Sequence, residues 1–529
     1  MPDTARDLSQ PGSPLVVGVD SSTSACKVIA WGTAGEEAGY AIAEGRASFP
    51  LNNPEPEGWE QDANDWWRAL GSACQALSQA LGERLRDVVA LCVTHQRETV
   101  VVTDAHGEPL APALVWMDSR ATHQVERAVT TLGAETLHRL SGKPPCTTPS
   151  LYKLAYLFDK APALRSTAHV CDVQSFLLWK LTGEFKSSLP SVDPMGVLDL
   201  STGDYAEPLL DFLGVRSERF PALVPAGQRV GALTQAAAAV CCLPTGLPVI
   251  SGAGDGQAAG LGAGIAAPGE AYLNLGTALV SGVLSNDYRT DLAFRTLFAA
   301  TPACDSQELG DRALPPYFLE TDLKGGTFTF DWLCERLLEL PAANKSAHLE
   351  QLARRAALLP SGAQGLMLVP YWNGVMNPYW DDAASGVLIG LRGHHGQAHV
   401  YRAIVEGLAL EQRLHTEAVE RSAGAIHQLV CMGGLSETPW VRQLFCDALG
   451  RPIVPAESRE ATCLGAGILA ACGAGLFADS GAAIARMTRR GERHQVGADA
   501  PTYAALFDVY RELYPALRGA QARLAALNH

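Results

Sequence analysis

The sequence predicts an α/β protein of two domains with mixed sheets, built as duplicated halves around a shared cleft. Three observations point there. The chain is 529 residues long, more than one ordinary core takes up. Strand-like apolar runs alternate with helical stretches through both halves. Two segments roughly 255 residues apart repeat one design.

The first of these segments runs Leu15 to Asp20, then Ser21-Ser22-Thr23-Ser24, then Lys27 to Trp31. The second runs Ala271 to Leu275, then Gly276-Thr277-Ala278, then Leu279 to Val283. An apolar run, a tight turn of small residues and a second apolar run read as a β-hairpin. Its tip exposes N–H and O–H groups suited to holding a phosphate. Between the two hairpins, Val88 to Thr94, Val100 to Thr103 and Leu247 to Ser251 read as strands, and Asp65 to Gly82 and Val170 to Leu181 as helices. In the second half, Gly365 to Pro370 and Gln428 to Met432 read as strands, Tyr401 to Ala423 and Trp440 to Leu449 as helices. The turn-rich stretch 262–269 marks the boundary between an N-terminal domain, 15–264, and a C-terminal domain, 265–485. Residues 1–14 are expected to be a flexible N-terminus, and 486–529 a helical extension packed on the outside.

Hydrophobic residues make up 47% and charged residues 18% of the chain, the balance of a soluble globular protein. A net charge of -15 argues against a nucleic-acid surface, which needs clustered Lys and Arg. The 13 Cys lack C-x-x-C spacing, so buried reduced thiols are expected rather than a disulfide framework or zinc site. The N-terminus has no signal-peptide pattern, and no uncharged apolar run reaches membrane-spanning length. A cytoplasmic protein is expected.

Chemistry concentrates at a few positions. Asp20 ends an apolar run before a Ser/Thr turn, where a carboxylate could hold Mg²⁺, the metal offsetting its desolvation; a turn-forming Asp bonding its own backbone is the other reading. Asp255, in Gly252-Ala253-Gly254-Asp255-Gly256, is expected to end a strand at the mouth of the cleft. There it could take a proton from a hydroxyl attacking a γ-phosphate, and a helix-capping role is compatible with that. Phosphoryl transfer asks mainly for positioning and charge neutralisation, so one base, one metal and a few N–H donors can suffice. His95-Gln96-Arg97-Glu98 is either a solvated hairpin tip or a set of donors and acceptors for a polyhydroxylated ligand. Trp116 is either an apolar wall for a sugar face or a core residue. Gly433-Gly434, leading through Ser436 toward a helix, and Gly325-Gly326 are nucleotide platforms at helix N-termini or plain turns. There is no P-loop, no H-E-x-x-H, no G-x-S-x-G and no protein-kinase set.

Taken together, these pieces resemble the FGGY carbohydrate kinases, from about Leu15 to Asp479. The likeness rests on the phosphate hairpins Asp20 to Lys27 and Gly276-Thr277, and on Gly58-Trp59-Glu60-Gln61-Asp62 with Trp66-Trp67. Ser150 to Lys153 fits the first family signature, and Gly386 to Leu391 through His399 to Glu406 the second. Gly433-Gly434, Trp440, Arg442-Gln443, Leu449 to Pro452 and Leu464 to Gly467 complete the set. The resemblance implies the actin-like, ribonuclease-H-like duplicated two-domain ATPase fold with a cleft between the domains, with ATP and Mg²⁺ as cofactors. It implies Asp255 as catalytic base and Asp20 and Asp255 as metal-facing carboxylates. Asp20, Ser22, Thr23, Ser24, Lys27, Gly276 and Thr277 would face the Mg·ATP phosphates, with Gly325, Gly326, Gly433, Gly434 and Ser436 near the nucleotide. Gln96, Arg97, Glu98, Trp116, Asp255 and Gln257 would line the sugar site, and domain closure would exclude water.

Within the family the motifs are mixed. Lys27, the Gly58 segment, Gly325-Gly326 with Trp332, and Trp440 with Arg442-Gln443 look like xylulokinases. Gln96-Arg97-Glu98 and Pro378-Tyr379-Trp380 look more like glycerol kinases, although Thr148, Gly256 and Val280 stand where those enzymes carry Tyr, Gln and Phe. D-xylulose is the leading expectation; glycerol, ribulose or another polyol is the alternative. A non-catalytic actin-like ATP binder is the reading from another class. The expected partner is a small sugar, with no nucleic acid and no membrane, in a homodimer.

Overall fold

The computed structural model of the protein describes residues 12–276, 278–301, 314–323, 325–372 and 374–527; Thr277 and residues 1–11 of the expected N-terminal segment lie outside them. Both hairpins form. Leu15–Ser21 pairs antiparallel with Ala25–Gly32, from Leu15 opposite Gly32 to Ser21 opposite Cys26. Glu270–Leu275 pairs antiparallel with Leu279–Ser285, closing at Leu275 opposite Leu279.

Around each hairpin the same sheet is built. The second strand takes an antiparallel third, Ala41–Ser48 in one half and Tyr317–Leu323 in the other. The first strand takes a parallel fourth, Val88–His95 or Gln428–Met432. A parallel fifth follows, Pro248–Ile250 or Ile453–Pro455. The halves differ in where a sixth strand is added. Arg229–Ala232 extends the first sheet beyond its fifth strand, whereas Arg295–Phe298 extends the second beyond its third. The central strands Leu15–Ser21 and Val88–His95 read as nearly unbroken apolar runs because they are buried on both faces.

The halves also exchange a helix. Asp255–Gly262, which ends the first half, packs Ala259 against Tyr272, Phe318 and Val430 of the second sheet. Ala461–Gly473, from the second half, packs against Val16, Ile29, Trp31 and Cys92 of the first. The two helices cross on glycine: a Cβ at Gly262 would lie 1.8 Å from Ala461 O, and one at Gly465 2.0 Å from Ala258 O. Only residues without side chains allow that approach. The chain therefore passes from one sheet to the other without separating the packing of the two halves.

Two elements depart from expectation. Val170 to Leu181 is not one helix. His169–Asp172 is a strand paired with Val100–Thr103, and the helix begins at Val173 because the Asp172 carboxylate accepts the Ser175 N–H as its cap. The tail is a helix, Ala500–Ala526, but Tyr503, Phe507, Tyr510 and Tyr514 form a buried stripe that completes the core of the C-terminal domain. Among the described residues the cysteines are free and nearly all buried, and no helix is long and apolar enough to cross a membrane.

Candidate active site

Strand register assembles the site. Asp20 lies beside Thr94 in the parallel pair and opposite Lys27 in the hairpin. Thr94 Oγ1 donates to Ala253 O at 2.7 Å, and His95 bridges to Gly254. The carboxyl ends of adjacent parallel strands thus reach one level, the usual place for a ligand in such sheets. Asp255 does not end a strand. Its strand stops at Ile250, and Asp255 is the first residue of the helix Asp255–Gly262, capped by Gly254.

The Asp255 carboxylate is close enough to act on Asp20. Burial, then the Asp255 carboxylate, push the Asp20 carboxyl up to about 7, with Lys27 opposing. Asp20 Oδ1 is buried without a hydrogen-bond partner. A buried, partnerless carboxylate oxygen beside a second carboxylate fits Mg²⁺, which would supply the missing contact and favour the ionised form. Lys27 Nζ pairs with Glu460 Oε1 at 2.6 Å, joining the first hairpin to the start of the exchanged helix.

The Asp255 carboxylate is 40% exposed. Its Oδ1 accepts the Gly256 N–H at 2.7 Å and lies 3.0 Å from Arg97 Nε. Arg97 in turn directs Nη1 at both oxygens of Glu320, at 3.0 and 2.9 Å. Glu320 also accepts from Tyr272 Oη at 2.7 Å and from Arg295 Nε at 2.8 Å. Arg295 then donates from Nη1 to Glu98 Oε1 at 2.9 Å. Burial raises the Glu320 carboxyl, but Arg97 and Arg295 outweigh it and hold it at about 2. The result is a row of alternating charge, Asp255, Arg97, Glu320, Arg295, Glu98, running between the two domains. The solvated-tip reading of His95 to Glu98 is excluded, since all four residues are buried. Glu98 sits at φ +54, a left-handed conformation uncommon for a residue with a side chain.

A second network holds the first hairpin tip. Gln61 Oε1 accepts from Gln96 Nε2 at 2.9 Å and from Trp66 Nε1 at 3.0 Å, while Gln61 Nε2 donates to Thr23 O at 2.6 Å. The half-buried Trp116 donates from Nε1 to Thr23 Oγ1 at 3.0 Å. Ser22 Oγ donates to Ala25 O at 2.9 Å within the turn, and Ser24 is exposed at the tip. Gln257 is completely buried, its Nε2 donating to Pro190 O at 2.9 Å, which makes it part of the wall.

The second hairpin joins the glycine turns. Thr327 N–H donates to Gly276 O at 2.9 Å, tying that tip to the Gly325-Gly326 turn. A Cβ at Gly325 would meet Pro370 O at 2.5 Å. Gly433 has φ +90, and a Cβ there would lie 2.7 Å from Asn274 Oδ1. Gly433, Gly434, Ser436, Arg442, Glu457 and Ser458 line a pocket of about 160 Å³, beside the helix Pro439–Leu449. Ser436 Oγ donates to Gly433 O at 2.6 Å.

Glu320, Arg295 and Glu460 are outside the motifs read from the sequence, and Gln61 and Tyr272 lie within quoted motifs but had no site role there. The signal for two of them was present. Glu320 interrupts the apolar run Tyr317 to Leu323 and Arg295 interrupts Phe294 to Phe298, and a charge inside a buried strand needs a partner.

Residues 15–262 match the N-terminal domain of the FGGY family of carbohydrate kinases, and residues 271–474 match its C-terminal domain. A glycerol kinase of Trichlorobacter lovleyi is 30% identical over 88% of this chain and 91% of its own. A xylulose kinase of Bacillus subtilis is 25% identical over 94% of this chain and 96% of its own. Among solved structures, a xylulose kinase from Rhodospirillum rubrum has a TM-score of 0.82 at 26% identity, covering 96% of this chain and 100% of that one. A gluconate kinase from Lactobacillus acidophilus has a TM-score of 0.86 at 22% identity, covering 97% and 99%.

Proposed function

Because the chain belongs to the FGGY family of carbohydrate kinases and is therefore an ATP-dependent phosphotransferase acting on an alcohol group, we propose that its acceptor is a neutral ketopentose, D-xylulose before others, and its product D-xylulose 5-phosphate. The observation that carries this reading is the setting of Asp255. Its carboxylate is exposed, oriented by Arg97 and the Gly256 N–H, and adjacent to Asp20.

Asp20 and the hairpin tips would hold Mg·ATP, which would supply the phosphoryl group and the charge neutralisation that its transfer needs. Asp255 accepts the proton of the attacking hydroxyl, and Arg97 fixes the direction of its carboxylate. Thr23, Ser24 and Gly276 would present small groups and N–H donors to the phosphates, while Ser22, whose N–H and hydroxyl both donate to Ala25 O, holds the turn in shape. Trp116, held on Thr23, offers its ring as an apolar wall to the sugar.

Charge supports a neutral acceptor. Four carboxylates, Asp255, Glu98, Glu320 and Asp322, surround the two guanidiniums of Arg97 and Arg295. Lys143, nearby, pairs with Asp193. An aldonate such as gluconate would bring another negative charge to a site whose cations are already matched. Val280 and Thr148, where glycerol kinases carry Phe and Tyr, favour an acceptor larger than three carbons. Glycerol is the second reading, supported by Arg97-Glu98 and by relatives named glycerol kinase at 28–30% identity. The test is ADP release with Mg·ATP against D-xylulose, L-xylulose, D-ribulose, L-ribulose, glycerol, erythritol and gluconate. D-xylulose as the strongest responder supports the proposal. Glycerol or gluconate as the strongest responder overturns the choice of substrate.

A further inference from the structure

We propose that Arg295, a residue of the C-terminal domain, is a positioning residue for the sugar site of the N-terminal domain; this rests on the carbohydrate-kinase reading above. Arg295 begins Arg295–Phe298, the strand added only to the second sheet at that edge, and stands opposite Glu320 in register. Its side chain is 5% exposed and makes ion pairs in two directions, to Glu320 at 2.7 Å and to Glu98 at 2.9 Å.

Glu98 needs that partner. Its carboxylate is buried, its backbone is left-handed at φ +54, and its carbonyl accepts the Ser150 hydroxyl at 2.9 Å. Without Arg295 the buried Glu98 carboxylate would lose its direct ion pair and keep only the longer-range pull of Arg97 and Lys143, a costly arrangement relieved by protonation or by movement of the side chain. Glu320 would also lose one of two cations, and Arg97 would be drawn toward it and away from Asp255. Arg97 and Glu98 belong to one domain and Arg295 and Glu320 to the other. The sugar-binding pose therefore exists only when the domains hold this arrangement, and Arg295 is the link that carries domain position into the pocket.

The experiment is steady-state kinetics of Arg295→Met and Arg295→Lys with the best acceptor of the wild-type protein. For Arg295→Met, KM for the sugar rises by about tenfold or more, the scale of one charge-assisted hydrogen bond, while KM for ATP stays within about twofold. Arg295→Lys recovers part of the loss, and adding Arg295→Met to Glu98→Gln raises the sugar KM by a smaller factor than Arg295→Met does in the wild type. A sugar KM unchanged in Arg295→Met, or a parallel rise in both KM values, overturns the proposal. If Arg295→Met does not fold, Arg295→Lys carries the same comparison, because it keeps the charge and loses the two-directional geometry. A wild-type protein that turns over no sugar refutes the functional reading instead, and that is seen before any variant is made.

Discussion

Arg97 occupies the space that a side chain at position 256 would need: a Cβ on Gly256 would stand 2.9 Å from both Cζ and Nη2 of the guanidinium. The bare backbone beside Asp255 and the buried Arg97 are one feature. Gly256→Asn is expected to push the guanidinium off Asp255 and lower kcat/KM by roughly ten- to hundredfold, since small misplacements at the reacting centre cost that much. Steady-state kinetics check this, and an unaltered kcat/KM would separate Gly256 from Arg97.

Arg97→Ala should raise KM for the sugar more than KM for ATP, because the Arg97 guanidinium lies 3.0 Å from the Asp255 base. The reverse pattern would move Arg97 out of the sugar site.

Glu320 gives a pH signature. Its carboxyl is held at about 2, below the ordinary 4.5. A lowered acid contributes stability that is full above the unfolded value and lost as pH falls through the folded one. Glu320→Gln leaves Arg97 and Arg295 without their shared carboxylate and should cost about 3–5 kcal/mol at pH 7. The gap to wild type should narrow as pH drops from 4.5 toward 2. Urea unfolding at pH 7, 4 and 3 measures it, and a gap independent of pH would contradict the charged network.

The helix crossing makes a packing prediction. Gly465→Val drives a side chain into Ala258 O, 2.0 Å from the Cβ position. Overpacking of this kind costs about 1–3 kcal/mol or more. A Tm equal to wild type would mean that the two exchanged helices are free to separate.

Much of this was legible in the sequence because the signals are local. Each hairpin carries its apolar strands and small turn residues within twenty positions, and Asp20, Asp255 and the glycine turns sit beside those strands. What was not legible depends on distance along the chain. Glu320 meets Arg97 across 223 residues and Arg295 meets Glu98 across 197, so neither pair leaves a spacing to read. For His95 to Glu98 the solvated tip and the ligand-binding set stay equally open in the sequence, because four polar residues between apolar runs describe both a surface turn and a buried charge cluster. Only the opposing domain distinguishes them. The strand His169–Asp172 was hidden in an apolar run because nothing before Asp172 separates extended from helical residues; the cap does.

The central claim, that Asp255 is the base of a sugar-dependent phosphoryl transfer, is tested most directly by measuring sugar-dependent ADP release in wild type and Asp255→Asn side by side, with ATP binding followed by calorimetry. The account predicts that the substitution lowers kcat by about 10²–10⁴-fold, the range of general-base catalysis, while ATP affinity stays near that of wild type. Turnover within about tenfold of wild type in Asp255→Asn would contradict it.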